Sequence, residues 1–102
     1  MAPSDTKTLY AAVHTRVDEL LQYVWDPIGV AHVPEARDEY TSYVPTVARL
    51  LLEERKKEEI VAYLHKIASE HMGLSENPAA LAHEEATVTL LIRHYQDLKK
   101  RA

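Results

Sequence analysis

The chain has no cysteine, and that absence removes disulfides and thiolate metal sites together. Glycine is nearly as scarce: Gly29 and Gly73 are the only two in 102 residues. No Gly-rich loop can therefore cradle a phosphate. Cations are outnumbered, with 12 Lys and Arg against 16 Asp and Glu, for a net charge of -4. This balance disfavours general nucleic-acid binding, which depends on cationic surface displacing phosphate counterions. Long apolar runs are missing, so no stretch approaches membrane-spanning length. The first residues, Met1-Ala2-Pro3-Ser4-Asp5, lack the basic opening and apolar run of a secretory signal. Sustained period-two alternation, internal repeats and low-complexity segments are absent too. The expectation is a cytoplasmic protein with one helical domain over residues 1–102.

Recognisable catalytic groupings are also lacking. A helical zinc site would place two ligands at i and i+4. The six histidines, His14, His32, His65, His71, His83 and His94, contain no such pair. His65 and His71 stand about 120° apart around an ideal helix. No serine occupies a nucleophile elbow. No catalytic residue, metal or cofactor is expected from these patterns. Two groups of carboxylates keep some interest: Asp38-Glu39, which precedes Tyr40, and Glu84, which falls on an apolar helix face. Paired carboxylates can serve as acid and base, but they are more often a capped helix start and a hydrogen-bonded side chain.

What is present is organised around Trp25-Asp26-Pro27-Ile28-Gly29-Val30, which holds the only tryptophan. Pro27 has no N–H and drives Asp26 out of the helical region, so a helix entering the motif must end near Trp25. Gly29 permits a turn that a Cβ would resist. One reading is a helix-ending turn plugged into the core by Trp25. The other is a binding edge with Asp26 as its polar group. Turn chemistry alone accounts for Asp-Pro and Gly.

The remaining pattern is helical. Leu9, Val13, Val17, Leu20 and Val24 share one face of a helix over about 5–24, bordered by Tyr10 and Leu21. A connection follows to about residue 37, broken by Pro27, Gly29 and Pro34. Tyr40, Tyr43, Val44, Val47, Leu50 and Leu51 share a face of a second helix over about 40–54, with Leu52 pointing away. Pro45 confines its regular part to about Tyr43 to Glu54, with Arg37 to Ser42 as a looser entry turn, because proline suits only a first turn. The charge reversal Arg55-Lys56-Lys57-Glu58-Glu59 fits a helix end followed by a helix start. One continuous bent helix is the alternative. A third helix over about 58–72 carries Ile60, Tyr63, Leu64, Ile67 and His71 on one side and stops at Gly73. Asn77-Pro78 opens a fourth, over about 78–100. Its main face is Leu81, Val88, Leu91, Ile92, Tyr95 and Leu98, with Glu84 in the middle. A second stripe, Ala79, Ala82, Ala86 and Leu90, lies opposite. The fold class expected is all-α: a compact four-helix bundle-like domain.

Taken with Asp38-Glu39-Tyr40 and Ser42-Tyr43, the Trp-Asp-Pro-Ile-Gly-Val stretch resembles the signature of small bacterial all-helical proteins similar to the YugE-like domain of unknown function. The resemblance covers residues 20 to 52. It implies a compact helical fold and a bacterial source, and carries over no catalytic residue. The chain departs from that pattern at Lys56-Lys57, where a small turn and N-cap would be expected.

Two classes of function follow. The first is a non-enzymatic protein–protein interaction module, either an immunity- or inhibitor-type protein covering a basic partner or a homodimer. It would use Leu52, Ala82, Ala86 and Leu90 as its association surface, with a two-fold dimer as the favoured assembly. The second is a small enzyme or ligand-binding domain, with Asp26, Asp38, Glu39 and Glu84 lining a pocket beside Trp25. Tyr40 and Tyr43 suit a binding hot spot by type and a core by spacing. Glu84 is expected to find a hydrogen-bond partner, since an unpaired buried carboxylate is expensive.

Overall fold

A computed structural model describes residues 3–25, 38–71 and 78–101. The described residues are helical throughout, apart from short turns. Helix α1 spans Pro3–Leu20 and runs on as a π-helical segment, Leu21–Trp25. One short turn, α2, covers Asp38–Thr41, and α3 covers Val44–Leu52. Helix α4 spans Lys57–Lys66 and ends in a second π segment, Ile67–His71. The longest helix, α5, spans Pro78–Arg101. The protein is thus an all-α, compact, bundle-like fold built on four principal helices. None of the described helices is long and apolar enough to cross a membrane.

The π segment of α1 changes which residues face inward. A π turn holds an extra residue, so the apolar seam rotates at that point. Val13, Val17, Leu20, Leu21 and Trp25 are buried, while Leu9 and Val24 pack only in part and Tyr10 is exposed. The straight α-helical face expected through Val24 is therefore replaced by Leu21 and Trp25.

The expected helix over 40–54 has its regular part in α3, after the separate short turn α2. Pro45 occupies the first turn of α3, where its missing N–H costs nothing, and the chain turns at Ser42 and Tyr43 before it. The N–H of Tyr43 donates to the carbonyl of Tyr40 at 3.0 Å, closing that turn.

Helices α3 and α4 are separate, which excludes the single bent helix. The break is a Schellman motif: Arg55 N–H donates to the Leu50 carbonyl and Glu54 N–H to the Leu51 carbonyl. Its left-handed position is held by Glu54, with φ of 53°. Glycine is the usual residue there, because a Cβ clashes in that conformation. Lys56 then opens α4 from extended backbone without a side-chain cap. Glu58 and Glu59 in the first turn suit the helix dipole, and Arg55 Nε donates to Glu59 at 2.8 Å.

Helix α5 is central. It packs against α1, α3 and α4, and α1 packs against α3. One core joins Trp25 and Tyr40 with Val47, Leu51, Ile60, Leu64, Ile67, Val88 and Leu91. On α5 the inward face is Glu84, Thr87, Val88, Leu91 and Tyr95. Leu81, expected on that face, is 41% exposed and sits at its edge toward α4.

Candidate functional site

The turn motif enters the structure through Trp25. Its side chain is 1% exposed, and its ring meets that of Tyr40 at 5.7 Å between centroids, tilted by 50°. This aromatic pair ties the end of α1 to α2. Buried Gln22 strengthens the same junction, donating through Nε2 to Asp18 of α1 and Thr41 of α2. From α5, His83 Nε2–H donates to the Trp25 carbonyl at 3.0 Å and so satisfies a helix-end acceptor. The indole N–H of Trp25 has no partner among the described residues. Asp26 and the rest of the motif lie outside the described residues. Asp38 and Glu39 lie in α2, but their side chains are not described. Tyr43 is half-buried and packs against the core.

Glu84 is 3% exposed, and its Oε1 accepts a 2.9 Å hydrogen bond from His65 Nδ1–H. An aligned pair across α4 and α5 thus satisfies the buried carboxylate and fixes the imidazole. His65 also lines a shallow groove of about 330 Å³ between these helices, with Lys57, Glu58, Val61, Ala62, Leu81 and Glu85. No hydroxyl or thiol nucleophile is among these lining residues. The described residues contain no cluster of three side chains able to hold a metal ion.

The expected association residues fall in different environments. Ala79, Ala82 and Ala86 are exposed along α5, and Leu90 is half-buried. Leu52 does not point away from the fold: it is half-buried against the core, as the last residue of α3 before the turn. Of the expected association residues, the exposed ones are therefore Ala82 and Ala86 on α5.

A second site gave no sign of itself in the sequence. Glu54 Oε2 accepts from the Tyr95 hydroxyl at 3.1 Å and from the Lys99 ammonium. These three groups border a cavity of about 300 Å³, together with Leu51, Arg55, Ile92 and Gln96. Hydrogen bonds from Lys99 and then Tyr95 hold the Glu54 carboxyl below its usual range. The bond to Glu54 raises Lys99. Burial, then the bond to Glu54, raises the Tyr95 hydroxyl. Tyr95 and Lys99 are one turn apart on α5, which sequence alone can show. Their meeting with Glu54, more than forty positions away, depends on the α3–α4 turn.

Fold and sites together define a compact all-α protein with a polar-rimmed cavity at α3–α5 and an apolar groove at α4–α5. No protein-family model, curated protein or solved structure matches the chain.

Proposed function

We propose that this protein is a non-enzymatic protein–protein interaction module whose working surface is the outer side of α5 and its groove with α4. One observation carries the reading. Helix α5 already packs on α1, α3 and α4, yet Ala79, Ala82 and Ala86 remain exposed together on its opposite side, and Leu81 is exposed separately at the α4 groove. Exposed apolar residues gathered on one surface tend to mark association sites.

The first occupant is a second copy of the chain. Glu85 and Arg93 flank the stripe, are both exposed, and form no ion pair among the described residues. Their opposite charges on one helix face suit an antiparallel, two-fold pairing. The second occupant is a basic partner of an immunity or inhibitor complex. The groove rim supports it: Glu58 and Glu85 offer two carboxylates against Lys57, over the apolar Val61, Ala62 and Leu81. The same reading takes the chain as a bacterial cytoplasmic protein without nucleic-acid partners. The net charge of -4 and the Trp25–Val30 signature resembling the YugE-like domain support it.

Sedimentation velocity over a concentration series tests the surface. Self-association that Leu90→Glu abolishes supports the second copy. A monomeric wild type with an equally soluble, equally stable Leu90→Glu removes it, and leaves Leu81→Glu to be tested against a basic partner.

A further inference from the structure

We propose that the cavity bordered by Leu51, Glu54, Arg55, Ile92, Tyr95 and Lys99 binds a small amphipathic carboxylate, its head group at Lys99 and Arg55 and its tail over Leu51 and Ile92.

Several independent features meet at this place. The cavity of about 300 Å³ lies at the lower end of small-ligand sites. Its floor is apolar, with Leu51 buried and Ile92 half-buried. Its rim is polar, and its charged lining groups are two cations, Arg55 and Lys99, and one anion, Glu54. Glu54 is the residue held at positive φ among the non-glycine positions described. Backbone strain of this kind tends to collect at functional sites, where the fold holds a side chain in a required place. Here the left-handed turn delivers the Glu54 carboxylate to α5, where it fixes Tyr95 and Lys99.

Both lining cations have carboxylate partners, Glu59 and Glu53 for Arg55 and Glu54 for Lys99, and each keeps further donors for a ligand. Lys99 spends one donor on Glu54, and the rest of the ammonium is half-exposed at the cavity. Arg55 uses Nε on Glu59, and its terminal NH1 stands 4.0 Å from Glu53, beyond hydrogen-bond reach. The guanidinium fork therefore keeps donors of the geometry that matches a carboxylate. Shifted ionisation of Glu54, Tyr95 and Lys99 around one cavity agrees with such a site. This site is separate from the α5 association surface, so either reading can fail alone.

The test is a titration of the full chain followed by amide chemical shifts, using hexanoate, acetate, hexanol and hexylammonium as probes. Hexanoate is expected to bind saturably, with shifts centred on Leu51, Arg55, Ile92 and Gln96. It should bind more tightly than the other three. Lys99→Met, at an exposed position that leaves the core intact, should weaken hexanoate about tenfold through loss of one charge-assisted bond. Lys99→Arg should retain it. Equal binding of hexanol, equal binding of acetate, or tighter binding of hexylammonium would each overturn the proposal. So would unchanged hexanoate binding in Lys99→Met, or non-saturating shifts spread over the surface.

Discussion

Trp25 shows how one residue can organise a fold. Its ring is buried in the core against Tyr40 of α2, and its carbonyl is held by His83 of α5. Trp25→Ala is expected to cost about 3–5 kcal/mol, the range for losing a fully packed aromatic side chain. A thermal melt within error of wild type would remove Trp25 from that role. Glu84 is the polar counterpart, buried and dependent on His65. His65→Ala should cost about 1–3 kcal/mol, because it leaves a buried carboxylate unpaired. The double variant His65→Ala/Glu84→Leu should recover much of that loss, because no buried polar group is left without a partner. Urea melts of the two singles and the double close the cycle, and strictly additive losses would deny the coupling. Both residues could be read from the sequence. Trp25 precedes an enforced helix end, and Glu84 interrupts an apolar face at helical spacing. The partner of Glu84 could not be read, since His65 lies on another helix and the packing of α4 on α5 alone brings it there.

At the scale of elements, strong punctuation was legible and packing-dependent punctuation was not. Pro78 starts α5 and Pro45 sits in the first turn of α3, as proline chemistry requires. The π segment after Leu20 has no local sequence signal, so helical spacing carries the seam of α1 on to Val24, where the structure buries Leu21 beside the expected Trp25. The α3–α4 break was marked only by its charge reversal. Its left-handed residue is a glutamate, which local preference would not place there. Glu54 thus gives a test of competing effects. Glu54→Gly and Glu54→Ala both lose the bonds to Tyr95 and Lys99, but only glycine relieves the backbone. The glycine variant should be more stable than the alanine variant by about 1 kcal/mol. Equal midpoints in urea would mean the positive φ carries no strain. The same cluster sets a pH dependence. Glu54 is lowered in the folded state, so its contribution is present above the usual carboxylate range and is lost as pH falls through the lowered value. Tyr95 and Lys99 are raised, so their contributions hold below about pH 10 and fade as pH rises through the raised values. Lys99→Met should flatten the acid limb, where Lys99 is the first cause of the lowered Glu54, and leave the Tyr95 part of the alkaline limb, which burial sets. An acid limb identical to wild type would show that the pair does not contribute.

For the whole molecule, the all-α architecture was legible because four apolar stripes at helical period leave few other ways to close a core. The surface of α5 was legible only as a choice: a second apolar stripe could be internal or outward. Packing decides that choice, since α5 meets α1, α3 and α4 through its other side and leaves Ala79, Ala82 and Ala86 exposed. A two-fold axis through Thr89 would set Glu85 and Arg93 at equal distances from it, about 6 Å along the helix. An antiparallel second copy then brings each Glu85 toward an Arg93, twice over. Exposed ion pairs contribute about 0.2–1 kcal/mol each, and a reversal converts both into repulsions. Glu85→Arg and Arg93→Glu should therefore each weaken the dimer roughly tenfold, and the double reversal should restore it. Net charge separates this from bulk repulsion. Glu85→Arg moves the chain from -4 to -2, and Arg93→Glu moves it from -4 to -6. Bulk repulsion alone would make the first variant associate more readily and the second less. Specific pairing weakens both. Sedimentation velocity of the four proteins at one ionic strength, repeated at high salt, reads the difference. If Glu85→Arg associates more tightly than wild type, or the double reversal fails to restore assembly, the antiparallel pairing of α5 is wrong.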